Sequence, residues 1–122
     1  MQMTLLKGKL HKGTVTDSQL EYPGSIGIDP ALLKAADMVP YEKVLVVDLE
    51  NGNRLETYTV AGEPNSGEIS ILGAAAHLIN KGDRVIIMAF GQYTPQEADE
   101  LVPQVVVLGQ DNKIIDLPNA KS

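Results

Sequence analysis

Residues 43–60, KVLVVDLENGNRLETYTV, place two β-rich runs on either side of Asn51-Gly52. A short polar break between two such runs closes a hairpin. Asn-Gly suits a type I′ turn, in which both central residues take positive φ. Asp48 and Glu50 fall on this hairpin and are expected to face water.

Strand signals recur along the rest of the chain. Residues 3–11 alternate roughly and read as a strand, with a second expected around residues 14–15. YPGS, residues 22–25, is turn chemistry. IDPALLKAADMVP reads as a short helix, with Asp29 as N-cap, Pro30 at the first helical position and Pro40 ending the pattern. ISIL reads as a strand, and GAAAHLINKGD as a short helix closed near Gly82. RVIIMAF is apolar throughout and is expected to be buried on both faces. TPQEADELVP carries a capping box from Thr94 to Glu97, with Glu97, Asp99 and Glu100 on the wet face. QVVVLGQDNKIIDL reads as a final hairpin about Asp111-Asn112, and residues 118–122 as a frayed tail.

About seven strands and three short helices at close spacing point to a small closed β-barrel in one domain over residues 1–122. A doubly wound sheet would need longer crossover helices. Apolar residues make up 43% but aromatics only 4%, so the core has to come from Val, Ile, Leu and Ala.

Several chemistries are disfavoured by residue type. A net charge of −6 with scattered basic residues repels a nucleic-acid backbone. The absence of cysteine removes disulfides, thiolate nucleophiles and Cys-based metal sites. His11 and His77 stand far apart without a ligand cluster, so no metal site is expected. No serine sits in GxSxG, and KGKLHKG is not a phosphate loop. The N-terminus has no signal-peptide core, and VIIMAF is too short to span a bilayer. A soluble, cytoplasmic protein is expected.

What remains is Lys9, His11, Tyr22, Gly24-Ser25, Arg54, Thr57, Tyr58 and the GAAA of residues 73–76. Each alone has an ordinary reading as a surface, packing or turn residue. Taken together, KLHKGTVTDSQLEYPGSIGID, NGNRLETYTV and GAAAHLINKGDRVIIMAFG are similar, in order and spacing, to the pyruvoyl-dependent aspartate 1-decarboxylases.

The resemblance implies a mainly β fold, a double-psi β-barrel of roughly six to seven strands with short helices. It implies a proenzyme that cuts its own Gly24-Ser25 bond into chains 1–24 and 25–122. The Ser25 hydroxyl attacks the Gly24 carbonyl across a strained turn, and Thr57 supplies the oxyanion donor. The resulting ester is broken by β-elimination. Hydrolysis of the dehydroalanine then expels ammonia and leaves a pyruvoyl group at position 25. His11 and Tyr22 match residues that support this step.

The pyruvoyl group, with no metal and no pyridoxal phosphate, would form a Schiff base with L-aspartate and draw off CO2. Tyr58 would return a proton, releasing β-alanine for pantothenate synthesis. Lys9 and Arg54 would hold the substrate carboxylates, with Thr57, Gly73, Ala74 and Ala75 also at the substrate. Family members are homotetramers with active sites at subunit interfaces.

Two features stand out against the pattern. A regular strand puts Arg54 and Tyr58 on one face and Thr57 on the other, which calls for a twist, a bulge or a second subunit. The family usually carries Asn just before GAAA, whereas Leu72 offers neither donor nor acceptor. Two alternatives therefore stand beside the enzyme reading: an uncleaved, noncatalytic β-barrel binding module, and a pyruvoyl enzyme for another amino acid.

Overall fold

The structure, a computed structural model, describes residues 1–119. Its strands are β1 (Met3–Thr14), β2 (Asp17–Gln19), β3 (Ser25–Ile28), β4 (Lys43–Asp48), β5 (Arg54–Ala61), β6 (Ile69–Leu72), β7 (Arg84–Tyr93), β8 (Gln104–Leu108) and β9 (Ile114–Asp116). Two short helices, α1 (Pro30–Ala35) and α2 (Pro95–Glu100), and 3-10 turns at Gly73–His77 and Gln110–Asn112 complete the described residues.

The strand order is β2-β6-β3-β5-β4-β7-β1-β8-β9. β2 follows β1 after two residues, so the circuit β1-β7-β4-β5-β3-β6-β2 begins and ends in one ribbon. Register shifts at Leu6/Gly8 and His11/Gly13, with Lys12 at φ 64, bend β1 around that circuit. The expected β-rich fold with short helices is observed.

Inside the circuit lie Leu10, Ile26, Ile28, Val44, Val46, Ile69, Ile71, Ile79, Val85, Ile87 and Val106, all within 1% of full burial. Branched aliphatic side chains pack well on a pleated surface. Each contributes about 1.5–3 kcal/mol by leaving water.

Most local expectations hold, with differences that have physical causes. Asp29 caps α1 by accepting from the Ala31 N–H, and Thr94 and Glu97 form the capping box of α2. α1 stops at Ala35, before Pro40, because Asp37 turns to φ 58. No separate strand forms at residues 14–15: Thr14 ends β1, and the next strand is β2. GAAAH winds as a 3-10 turn, and Gly82 at φ 91 closes the segment before β7. The tail expected to fray reaches residues 120–122, which lie outside the described residues.

The β4–β5 hairpin forms, but its turn is not type I′. Gly52 has φ 76, whereas Asn51 is not among the residues at positive φ. The loop is instead closed by the Gly52 N–H donating to the Asp48 carbonyl and the Asp48 N–H to the Asn53 carbonyl. Side chains drive this. Asp48 accepts from the Glu50 N–H and Asn51 from the Asn53 N–H, each at 2.8 Å, making two Asx turns in succession.

Asp48 does not face water; it is fully buried, while Glu50 is exposed. β7 is covered on one face only. Val85, Ile87 and Ala89 point into the core, and Ile86, Met88 and Phe90 point outward, as a strand in a closed circuit requires.

Candidate active site

Ser25 opens β3 and is 5% exposed, while Gly24 before it lies at the surface. β3 runs antiparallel to β6, pairing Ser25 with Leu72, and parallel to β5, pairing Ile26 with Thr59. This register sets Ser25 between Leu72 on one side and the Tyr58 end of β5 on the other. The start of GAAA then folds back over the turn. Gly73 is buried at φ 84, and a Cβ there would stand 2.6 Å from Gly24 Cα and 2.8 Å from both Gly24 N and the Tyr22 carbonyl oxygen. Only glycine satisfies both the left-handed backbone and that approach.

Gly24 itself has neither constraint: its φ is not positive, and a Cβ there meets nothing within 4 Å. The side of Gly24 on which a Cβ would stand is open. No residue from 20 to 25 takes positive φ, and among the described residues no peptide is cis, so left-handed strain does not distinguish this turn. Its distinctive restraint is the seat on Gly73.

A cleft of about 450 Å³ borders the turn, lined by Gly24, Leu55, Thr57, Tyr58, Leu72, Ala74 and Ala75 together with Glu56 and Leu78. Thr57 and Tyr58 both reach it although β5 keeps unbroken register with β4. A smaller hollow lined by Lys43, Glu56, Thr57 and Tyr58 adjoins it. Leu55 and Leu78 belong to the lining too. Sequence gives no chemical signal for either, because a leucine in a strand or turn reads as packing.

The expected cations are elsewhere. Arg54 does not line the cleft, and neither Lys9 nor His11 does. Registers place His11 opposite Ile86, Ile86 opposite Val47, and Val47 opposite Arg54, along one outward row. Three strand spacings put His11 roughly 14 Å from Arg54 across that face. Lys9 begins the next row, opposite Met88 and then Leu45.

Among the described residues the ion pairs are Lys7–Glu42, Lys43–Glu56 and Arg84–Glu50, so Lys9 and Arg54 are in none of them. Burial and the charges of Lys9 and Lys12 push the His11 imidazole below its usual range, and its Nδ1 is buried without a partner among the described residues. Among the described residues the only charged side chain on the cleft of one chain is Glu56, neutralised by Lys43 at 2.9 Å. Tyr22 meets the site through its carbonyl against Gly73, and its side chain is exposed.

Among the described residues no group of three or more His, Cys, Asp or Glu is arranged to hold a metal ion, and no helix is long and apolar enough to cross a membrane.

The chain that carries this arrangement is similar along its length to known proteins. The aspartate 1-decarboxylase of Listeria welshimeri is 49% identical, covering 100% of this chain and 97% of that protein. Those of Clostridium botulinum (Loch Maree) and Clostridium beijerinckii are each 48% identical, covering 98% and 100% of this chain and 94% and 98% of theirs. The aspartate decarboxylase family pattern matches residues 1–115. With the match running from β1 into β9, the chain belongs to the aspartate decarboxylase family.

Proposed function

We propose that the chain is a self-cleaving proenzyme whose processed form is a carboxy-lyase converting L-aspartate to β-alanine and CO2. The observation that carries this is the seating of Gly73 on Gly24, with Ser25 held at the head of β3 beside the Thr57 cleft.

Ser25 Oγ attacks the Gly24 carbonyl carbon, and the peptide nitrogen leaves as the serine amine, giving an ester. Thr57, half-buried on the cleft, donates to the oxyanion that forms on the way. Loss of the Ser25 α-proton then expels the Gly24 carboxylate. The products are chains 1–24 and 25–122.

The residues present fit the pyruvoyl group that would follow. A buried strand head with small neighbours Gly73, Ala74 and Ala75 leaves room for a group without a full side chain and for a substrate against it. The group supplies an electron sink for the departing carboxylate. Tyr58, 40% exposed on the cleft, holds the proton delivered to the α-carbon. Tyr22 supports the cleavage step on its own chain, and His11, on the outward row with Arg54, supports it from a second copy.

Among the described residues the cleft of one copy carries no basic side chain to meet a dicarboxylate. We assign that role to Lys9 and Arg54 of a second copy, whose outward face also presents Ile86, Met88, Leu45 and Val47. The assembly is a homotetramer with sites between subunits, working in the cytoplasm and supplying pantothenate synthesis.

One observation favours the uncleaved alternative: Leu72, paired with Ser25 and lining the cleft, brings no polar group to the reacting bond. Intact mass decides between the two. Fragments 1–24 and 25–122, the longer blocked at its N-terminus, with β-alanine formed on adding aspartate, support the proenzyme. A chain that stays whole after warming overturns it. Processed protein that leaves aspartate untouched points to another amino acid.

A further inference from the structure

The cleft has two walls. One is β5, with Leu55, Thr57 and Tyr58, and the other is the turn Gly73–His77 with Leu78 after it. At their base the walls are joined through the sheet, by way of β3 and β6. Among the described residues no hydrogen bond links β5 directly to the turn Gly73–His77. That turn is short, has the weak geometry of a 3-10 winding, and the segment it opens runs between two left-handed glycines, Gly73 and Gly82. Its depth is set by Ile79, which is fully buried and whose carbonyl accepts from Ser18 Oγ at 2.9 Å.

Its separation from β5 is set at the rim. The Asn51 and Asn53 side chains both donate to the Leu78 carbonyl, at 3.2 and 3.0 Å. A carbonyl oxygen has two lone pairs and can accept both. The Asn51 amide orientation is fixed by its partners, because its Oδ1 accepts from the Asn53 N–H while its Nδ2 faces an oxygen. Leu78 in turn donates its N–H to Ala75, a cleft residue.

We infer that Asn51 and Asn53 are positioning residues: a two-amide clamp on the Leu78 carbonyl that fixes the width of the cleft and thereby the fit of the substrate. This rests on the decarboxylase reading above. The Asx turns of the 49–52 loop follow from it. In this loop both amides reach the Leu78 carbonyl.

The test is the double variant Asn51→Asp, Asn53→Ala. A carboxylate at position 51 keeps the acceptor for the residue 53 N–H, so the hairpin turn is retained while both donors to Leu78 are lost. Val106→Ala, a core change on β8, which does not line the cleft and pairs only with β1 and β9, serves as a control for general loosening.

Amide hydrogen exchange over residues 74–79 is read first, because it does not depend on turnover. It should be about tenfold faster in the double variant than in the wild-type protein. On processed protein, KM for aspartate should rise about tenfold with a smaller change in kcat, as a shift of positioning groups produces. The Val106→Ala control should leave KM unchanged.

Exchange unaltered in the double variant overturns the clamp, whatever the enzyme does. So does an unaltered KM, or an equal rise in Val106→Ala. A wild-type protein that makes no β-alanine sinks the decarboxylase reading instead, and the exchange arm still decides whether the clamp exists.

Discussion

Gly73 and Gly24 touch without a Cβ between them: one built on Gly73 would stand 2.6 Å from Gly24 Cα. The contact joins two segments that sequence reading takes separately, the YPGS turn and the GAAA run. It makes the first residue of GAAA a support for the bond to be cut, ahead of any part it has in binding.

Gly73→Ala is therefore expected to stop processing while the protein still folds. The left-handed backbone costs a residue with a Cβ about 1–2 kcal/mol, and the clash displaces Gly24 besides. Intact mass should show uncut chain, with a melting transition a few degrees lower. Wild-type cleavage in this variant would mean that the Gly73–Gly24 contact does not restrain the bond.

Position 72 yields a prediction with the opposite sign. Leu72 pairs with Ser25 and gives the cleft wall no hydrogen-bonding group. In Leu72→Asn a donor and an acceptor stand beside the reacting peptide. Cleavage, followed as the fraction of fragment 25–122 over time, should be several-fold faster, of order tenfold for about 1.4 kcal/mol of barrier. An unchanged rate would show that apolar lining at 72 does not limit the step.

Sequence reading located the hairpin and both capped helices, and of the residues it singled out, Gly24, Thr57, Tyr58, Ala74 and Ala75 line one cleft. Each is encoded locally or by a motif with its own spacing. What it missed depends on long-range pairing. The burial of Asp48 follows from β4 running between β5 and β7, and nothing near a polar hairpin residue signals that it turns inward. The amphipathic face of β7 is hidden because its outward residues, Ile86 and Met88, are as apolar as its inward ones. The placement of Lys9 away from the cleft needs strand order, which no motif carries.

Asp48 makes stability depend on pH. Burial, then the neighbouring Asp83 carboxyl, raises its carboxyl from 3.8 to about 6, and its Oδ2 is buried without a hydrogen-bond partner among the described residues. A group raised in the fold contributes stability that is present in full below its unfolded pKa and is lost as pH rises through 6. Asp29 runs the other way. Its carboxylate is held low by the N–H groups of Gly67, Ala31, Asn65 and Ser66 against the cost of burial, so its contribution is lost on acidification. Asp48→Asn keeps the acceptor for the Glu50 N–H and adds a donor toward Asp83. It should raise stability at pH 8 by up to about 3 kcal/mol and by only about 1 kcal/mol at pH 4.5, measured by urea unfolding at the two pH values. Equal effects at both would mean that the Asp48 carboxyl does not titrate in this range.

The last prediction concerns the missing cations. If Lys9 and Arg54 serve the cleft of another copy, a defect in Ser25 and a defect in Arg54 lie in different halves of one site. Ser25→Ala alone makes no pyruvoyl group, and Arg54→Ala alone cannot anchor the substrate carboxylate, so each homo-oligomer is expected to be inactive. Co-expressed in equal amounts, an Arg54→Ala chain supplies an intact Ser25 and a Ser25→Ala chain an intact Arg54. Random assembly then restores about a quarter of the sites. β-Alanine formation by the purified mixed oligomer should recover to about that fraction of wild type. Separately expressed chains mixed without exchange should stay inactive. If the mixed oligomer is as dead as its parents, Arg54 acts on the cleft of its own chain, and β5 has to swing the guanidinium around to reach it.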